Sequence, residues 1–171
     1  MLHLQQFETF PVHVLLQGKP GEIQVEHEGL LELKDVKVEL DIQQSGEEYF
    51  CQGNVISLVK LECARCLGAF ERELVNRTDF IISDRESFDA RAKEAIDDED
   101  YAFFEGSDLA VDLSDIVRQT ILLAISMKPL CSDECLGLCP KCGVNLNVTT
   151  CRCQIDKTDP RWDALKKLTD N

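Results

Sequence analysis

A chain of 171 residues with 44% hydrophobic side chains can bury one ordinary core and carry a small metal-stapled module. No stretch approaches the roughly 18 to 20 consecutive apolar residues that cross a bilayer, and the start, MLHLQQFETFPVHVLL, lacks a basic region before its apolar residues; a cytoplasmic protein without membrane association is expected. The net charge of -14 works against binding nucleic acid, but it is unevenly spread: residues 1 to 115 hold 10 Lys+Arg against 26 Asp+Glu, while residues 116 to 171 hold 8 against 6. Contact with a polyanion is therefore expected in the second part, and the acidic part suits a basic protein partner.

From Lys34 to Ile42, the apolar Val36, Val38, Leu40 and Ile42 alternate with Lys37, Glu39 and Asp41, which is the period of a half-buried strand. Gln43 to Glu47 has turn composition, and the run from Tyr49 to Leu61 is rich in Tyr, Phe, Val and Ile, so the two runs predict a hairpin. A third run, Ala69 to Ile82, places Phe70, Leu74, Phe80 and Ile82 on one side of an extended chain. The fold class expected is α+β, an antiparallel sheet with connections short enough for meanders.

Residues 84 to 108 are strongly acidic, with IDDED at their middle, and read as an exposed excursion: a solvated loop with a short helical piece, or a dock for a basic partner. A helix is expected to begin near Asp112, with Asp115 in its first turn where the helix dipole favours negative charge. Leu113, Ile116, Val117, Thr120, Ile121, Ala124 and Ile125 keep helical spacing as a core stripe until Pro129 forbids continuation. Asp159-Pro160 supplies an N-cap and a first-turn proline for a short terminal helix. The domain reading is 1–130 for sheet and main helix, with the acidic excursion, and 131–171 for a Cys-rich zinc-binding extension.

The cysteines carry the chemistry. In a reducing compartment nine thiols in clusters read as metal ligands rather than disulfides. Cys63-Ala-Arg-Cys66 has the two-residue spacing that lets one tight turn aim both sulfurs at one ion. Cys131, Cys135, Cys139, Cys142, Cys151 and Cys153 follow within 23 residues, with Gly137, Pro140 and Gly143 supplying bends.

Eight cysteines divide into two sets of four, leaving Cys51 as a buried strand thiol. The favoured zinc site is Cys139, Cys142, Cys151 and Cys153, a local ribbon; the second joins Cys63 and Cys66 to Cys131 and Cys135, so one or two Zn2+ ions are expected. Cys151-Arg-Cys153 has only one intervening residue, which departs from the usual spacing. A single occupied site, an iron–sulfur centre and a thioredoxin-type redox pair stand as alternatives.

No G-x-S-x-G, H-E-x-x-H, P-loop or G-x-G-x-x-G motif occurs, and His3, His13 and His27 lie far in sequence from the cysteines. Neither an enzyme nor a small-molecule substrate is expected.

The motif Cys63-Ala-Arg-Cys66, the helical Ile116-Val117-Arg118-Gln119, then Met127-Lys128-Pro129-Leu130-Cys131, Gly137-Leu138-Cys139-Pro140, Cys142-Gly143-Val144-Asn145-Leu146-Asn147 and Asp159-Pro160-Arg161-Trp162 together resemble the YceD family, the large ribosomal RNA subunit accumulation proteins. The resemblance runs from about Val36 onward and is densest between Val117 and Leu168. It implies a role in ribosome biogenesis: synthesis, processing or stability of large-subunit (23S) ribosomal RNA, with precursor RNA, a ribosomal protein, or both as partners. In the basic C-terminal part, Lys141, Arg152, Lys157, Arg161, Lys166 and Lys167 are candidates for phosphate contact, and Trp162 for stacking on an unpaired base. Ordinary solubility and helix packing are the competing roles for these side chains. The rival functional reading is an adaptor that holds a basic ribosomal protein on its acidic surface without touching RNA.

Overall fold

The computed structural model describes residues 1–91, 100–104 and 109–153. In chain order its elements are β1 (Leu2–His3), β2 (Val12–Gly18), β3 (Leu30–Ser45), β4 (Glu48–Glu62), β5 (Ala69–Asp84), α1 (Arg85–Arg91), β6 (Tyr101–Phe104), β7 (Ala110–Val111) and α2 (Ser114–Ala124). A five-stranded sheet runs β2-β3-β4-β5-β6, and β1 pairs with β7 in a separate two-stranded ribbon.

The alternation of the long strands builds the core. Val36, Val38, Leu40 and Ile42 of β3 point to the same face as Cys51, Val55, Val59 and Leu61 of β4 and Phe80 and Ile82 of β5, and all are buried. Helix α2 packs on this face through Leu113, Val117, Ile121 and Ile125, while Leu2 and Leu4 seal one side. Each such aliphatic side chain contributes roughly 1.5–3 kcal/mol by leaving water. The β3–β4 ladder continues to Ser45↔Glu48, so the turn is shorter than composition suggested, with Gly46 at φ +64°.

Helix α2 starts where Asp112 Oδ1 accepts the Ser114 backbone N–H at 2.9 Å and its hydroxyl at 2.6 Å. These two bonds, the hydroxyl's first, hold the Asp112 carboxyl below its ordinary value. The helix ends at Ala124, short of Pro129: Ile125 is already extended, with ψ 120°. The chain beyond it is held by tertiary bonds, the Pro129 carbonyl accepting Ala64 N–H at 2.8 Å and the Leu130 carbonyl accepting Arg72 Nη2 at 2.9 Å.

The acidic segment is not simply an exposed excursion. Helix α1 and strand β6 come from it, and β6 pairs with β5 in parallel, Ile81↔Tyr101 to Asp84↔Phe104, so the sheet is mixed rather than wholly antiparallel. Phe88, Ala102 and Phe104 are buried, and the Phe88 ring lies 4.7 Å from Tyr101 and 5.0 Å from Phe103. Four aromatic residues within a carboxylate-rich run bury enough apolar surface to dock it, a content that the segment's average charge conceals. Of IDDED only Asp100 lies within the described residues, and its carbonyl accepts Ile81 N–H at 2.9 Å. Strand β2, which carries Val12, Val14 and Leu16 in alternation, was not among the expected elements. The expected terminal helix after Asp159-Pro160 lies outside the described residues. No helix among the described residues is long and apolar enough to cross a membrane.

Candidate metal centres

The turn between β4 and β5 is the first cysteine knuckle. Cys63 N–H donates to the Gly68 carbonyl at 3.0 Å, and Leu67 N–H donates back to the Cys63 carbonyl at 2.9 Å. That return bond needs a left-handed residue, and Leu67 provides it at φ +56°. The knuckle's partners arrive from the chain beyond α2. Arg65 Nη1 binds the Cys135 carbonyl at 3.0 Å and the Asp133 carbonyl at 3.3 Å, so the 131–135 turn is fastened to the knuckle.

The four sulfurs of Cys63, Cys66, Cys131 and Cys135 thereby come within 4.8 Å of one another, with Cys63–Cys135 at 3.8 Å and Cys66–Cys131 at 3.7 Å. Cys63, Cys66 and Cys135 are buried, beside Phe70, Leu130 and Leu138.

The second knuckle sits at the tip of a short hairpin. Leu138 bridges Asn145, Leu146 N–H donates to the Gly137 carbonyl at 2.9 Å, and Cys139 N–H donates to the Val144 carbonyl at 2.8 Å. Gly143 N–H returns to the Cys139 carbonyl at 2.8 Å with φ +72°, repeating the form of the first knuckle with glycine in place of Leu67. Cys151 and Cys153 join Cys139 and Cys142 with all four sulfurs within 4.8 Å, so the single intervening residue does not keep the last pair from converging.

Either set, with four sulfurs within 4.8 Å of one another, could hold a metal ion. A tetrahedral ion with sulfurs at 2.3 Å requires sulfur separations of about 3.8 Å, which the first set's measured pairs match. All nine cysteines are free, and Cys51 stands alone in β4 at 1% exposure, its thiol pushed up to about 12 by burial.

The electrostatics of the sets would also suit a cation. Burial raises the Cys63 thiol, but N–H donors from Cys131, Cys66 and Arg65 outweigh it and bring it to about 6. The Cys142 and Lys141 N–H groups do the same for Cys139, also to about 6. Cys131 is pushed up to about 12, chiefly by the Cys135 sulfur, and Cys153 to about 12, chiefly by Cys142. Backbone donors thus favour some thiolates while neighbouring sulfurs oppose the rest, a conflict that a bound cation removes. Soft thiolate donors in a tetrahedron suit zinc or iron.

Of the nucleic-acid candidates, Lys141 and Arg152 are exposed and lie beside ligand-type cysteines, whereas Lys157, Arg161, Trp162, Lys166 and Lys167 lie outside the described residues. Three residues not singled out from sequence shape the centres: Arg65, Leu67 and Asn147, whose Nδ2 donates to Cys135 Sγ at 3.3 Å. Arg65 and Leu67 lie within or beside a C-x-x-C motif, where a search for ligands passes over them.

Two four-sulfur clusters on a mixed sheet with one main helix define a Cys-rich protein with the makings of a metal-stapled scaffold. The profile of the YceD family, described as "Large ribosomal RNA subunit accumulation protein YceD", matches residues 51–169, and this chain belongs to that family. The chain is 34% identical over 73 residues to the Arabidopsis thaliana protein named "Large ribosomal RNA subunit accumulation protein YCED homolog 1, chloroplastic", covering 43% of this chain and 23% of that protein. The Zea mays protein of the same name is 40% identical over 60 residues, 34% of this chain and 20% of its own length. The chain thus spans about a fifth of the plant relatives it matches. An uncharacterized Bacillus subtilis protein, YlbN, is 30% identical over 141 residues, 82% of this chain and 71% of that one. No solved structure matches significantly.

Proposed function

We propose that this chain is a non-enzymatic factor supporting accumulation of large-subunit ribosomal RNA, with zinc in both cysteine sets holding a recognition surface rigid. The carrying observation is that the family match, at residues 51–169, takes in both knuckles, so the residues that assemble the two sulfur clusters all lie within the matched part of the chain. What supports this is that each set offers four protein sulfurs, enough to complete the tetrahedral shell of a structural zinc and leave none of the open position that a catalytic zinc keeps. The first set ties the β4–β5 turn to the chain after α2, and the second shapes the hairpin that presents Lys141.

The test is to deplete the protein and measure the ratio of large- to small-subunit ribosomal RNA, then restore it with the wild-type chain or with Cys139→Ser and Cys63→Ser variants. Loss of large-subunit RNA rescued only by the metal-binding forms supports the reading. An unchanged ratio on depletion overturns it. Purified protein that degrades or trims precursor RNA would assign an enzyme instead.

A protein-only adaptor is the second reading, favoured by the excess of 26 Asp+Glu over 10 Lys+Arg in residues 1–115. Ultraviolet crosslinking separates the two: large-subunit precursor RNA attached to the protein supports direct contact, and salt-sensitive capture of a basic ribosomal protein without RNA supports the adaptor.

A further inference from the structure

We infer that the two cysteine centres are coupled, and that Asn147 is the positioning residue through which an ion at Cys139, Cys142, Cys151 and Cys153 strengthens the hold of Cys63, Cys66, Cys131 and Cys135. The inference rests on the reading that both sets bind metal.

The connection is a single hairpin. Its closed end is the second knuckle, where the Cys139 carbonyl receives Gly143 N–H and Cys139 N–H reaches Val144. Its open end lies against the first centre, where Leu138 N–H donates to the Arg65 carbonyl at 3.2 Å. One residue beyond the Leu146–Gly137 bond stands Asn147, and its amide works on both sides: Nδ2 donates to Cys135 Sγ at 3.3 Å while Oδ1 accepts Leu136 N–H at 2.8 Å. Asn145 fixes the amide's neighbourhood, its Oδ1 accepting Asn147 N–H at 2.9 Å and Asn147 Nδ2 at 2.9 Å.

Two chemical consequences follow. An N–H donor on a ligating thiolate orients the sulfur and offsets its charge, and such supporting partners are typically worth about 10–100-fold in metal affinity. A hairpin this short has no core of its own and is marginal in water, so it needs an ion at its closed end to keep its strands paired. Loading the second set therefore delivers Asn147 to Cys135, and emptying it lets Asn147 withdraw. Binding linkage then requires the converse: loading the first set raises the second set's affinity by the same factor.

The test uses the full chain, metal analysis, and titration with Zn2+ or Co2+ against a chromophoric chelator. Wild type is expected to hold two ions and Cys142→Ser one, with the first set weakened about 10–100-fold. Asn147→Asp keeps an oxygen to receive Leu136 N–H and replaces the N–H donor to sulfur with a carboxylate oxygen that only accepts. Like Asn147→Ala, it should weaken the first set and alter its Co2+–thiolate absorption, while far-ultraviolet circular dichroism stays unchanged. In both Asn147 variants the second set's affinity should fall to that measured in Cys63→Ser.

Cys142→Ser leaving the first set's affinity unchanged within about 2-fold overturns the coupling, far below the supporting-partner effect. Cys142→Ser weakening it while Asn147→Ala does not overturns the role of Asn147. A wild-type chain that takes up no ion fails at the earlier step, and so is distinguishable from both.

Discussion

Gly137 lies so close to Arg65 that a Cβ on the glycine would stand 3.1 Å from the Arg65 carbonyl oxygen, and its φ of +75° is one that side-chain-bearing residues seldom adopt. The seam between the two centres passes through this point, because the same carbonyl receives Leu138 N–H. Gly137→Ala is expected to cost about 1–3 kcal/mol through backbone strain and to speed ion loss to a chelator. Chemical denaturation with parallel metal analysis checks both, and wild-type values in each would remove the seam's importance.

In the sheet the tightest approach is at Gly53 in β4, where a Cβ would fall 1.8 Å from the Glu39 carbonyl oxygen of β3. The obstruction is backbone, so neither strand can yield by rotating a side chain. Gly53→Ala should destabilise the protein by about 3 kcal/mol, lowering the melting temperature by roughly 10 °C. A thermal scan showing less than a degree of change would mean that the strands separate here at little cost.

The two knuckles make a matched comparison. Leu67 and Gly143 occupy the same left-handed position, at φ +56° and +72°, and each N–H returns to the carbonyl of its knuckle's first cysteine. A left-handed leucine costs about 1–2 kcal/mol, and glycine's extra freedom in the unfolded chain takes back about 0.5–1. Leu67→Gly should therefore stabilise by about 0.5 kcal/mol, and by the same balance Gly143→Ala should destabilise by about 0.5 kcal/mol. Opposite signs in urea unfolding are the expected result; equal signs would show that the knuckles differ in more than this residue.

Cys51 should behave apart from the other eight cysteines. Burial raises its thiol from the ordinary 9.0 to about 12, so the neutral form is favoured in the folded protein. Its stabilising contribution is full below about pH 9 and is lost as pH rises toward about 12. At neutral pH, once a chelator has removed bound ions, a thiol reagent should reach the exposed Cys131 and Cys142 quickly and Cys51 only after unfolding. Rapid labelling of nine in the native chain would contradict the burial.

Part of this architecture was legible because side-chain period reports directly on burial. The alternation of Val36, Val38, Leu40 and Ile42 and the helical stripe from Leu113 to Ile125 locate β3 and α2, and both present those residues to one core. The acidic segment misled because charge averages over residues while docking depends on the few, such as Phe88 and Phe104, that leave water. The helix end misled because Pro129 marks where a helix must have stopped, and the bonds of Pro129 and Leu130 to Ala64 and Arg72 are made across the fold.

For the centres, the sequence by itself determined which residues are thiols, that they occur in close pairs, and which turns can be tight, since local spacing restricts where neighbouring sulfurs reach. Only the tertiary structure decided that the Cys63 and Cys66 sulfurs meet those of Cys131 and Cys135, that Leu67 is held left-handed, and that Asn147 faces Cys135. Those relationships join residues brought together by the folding of the sheet and hairpin, and no local periodicity carries information about them.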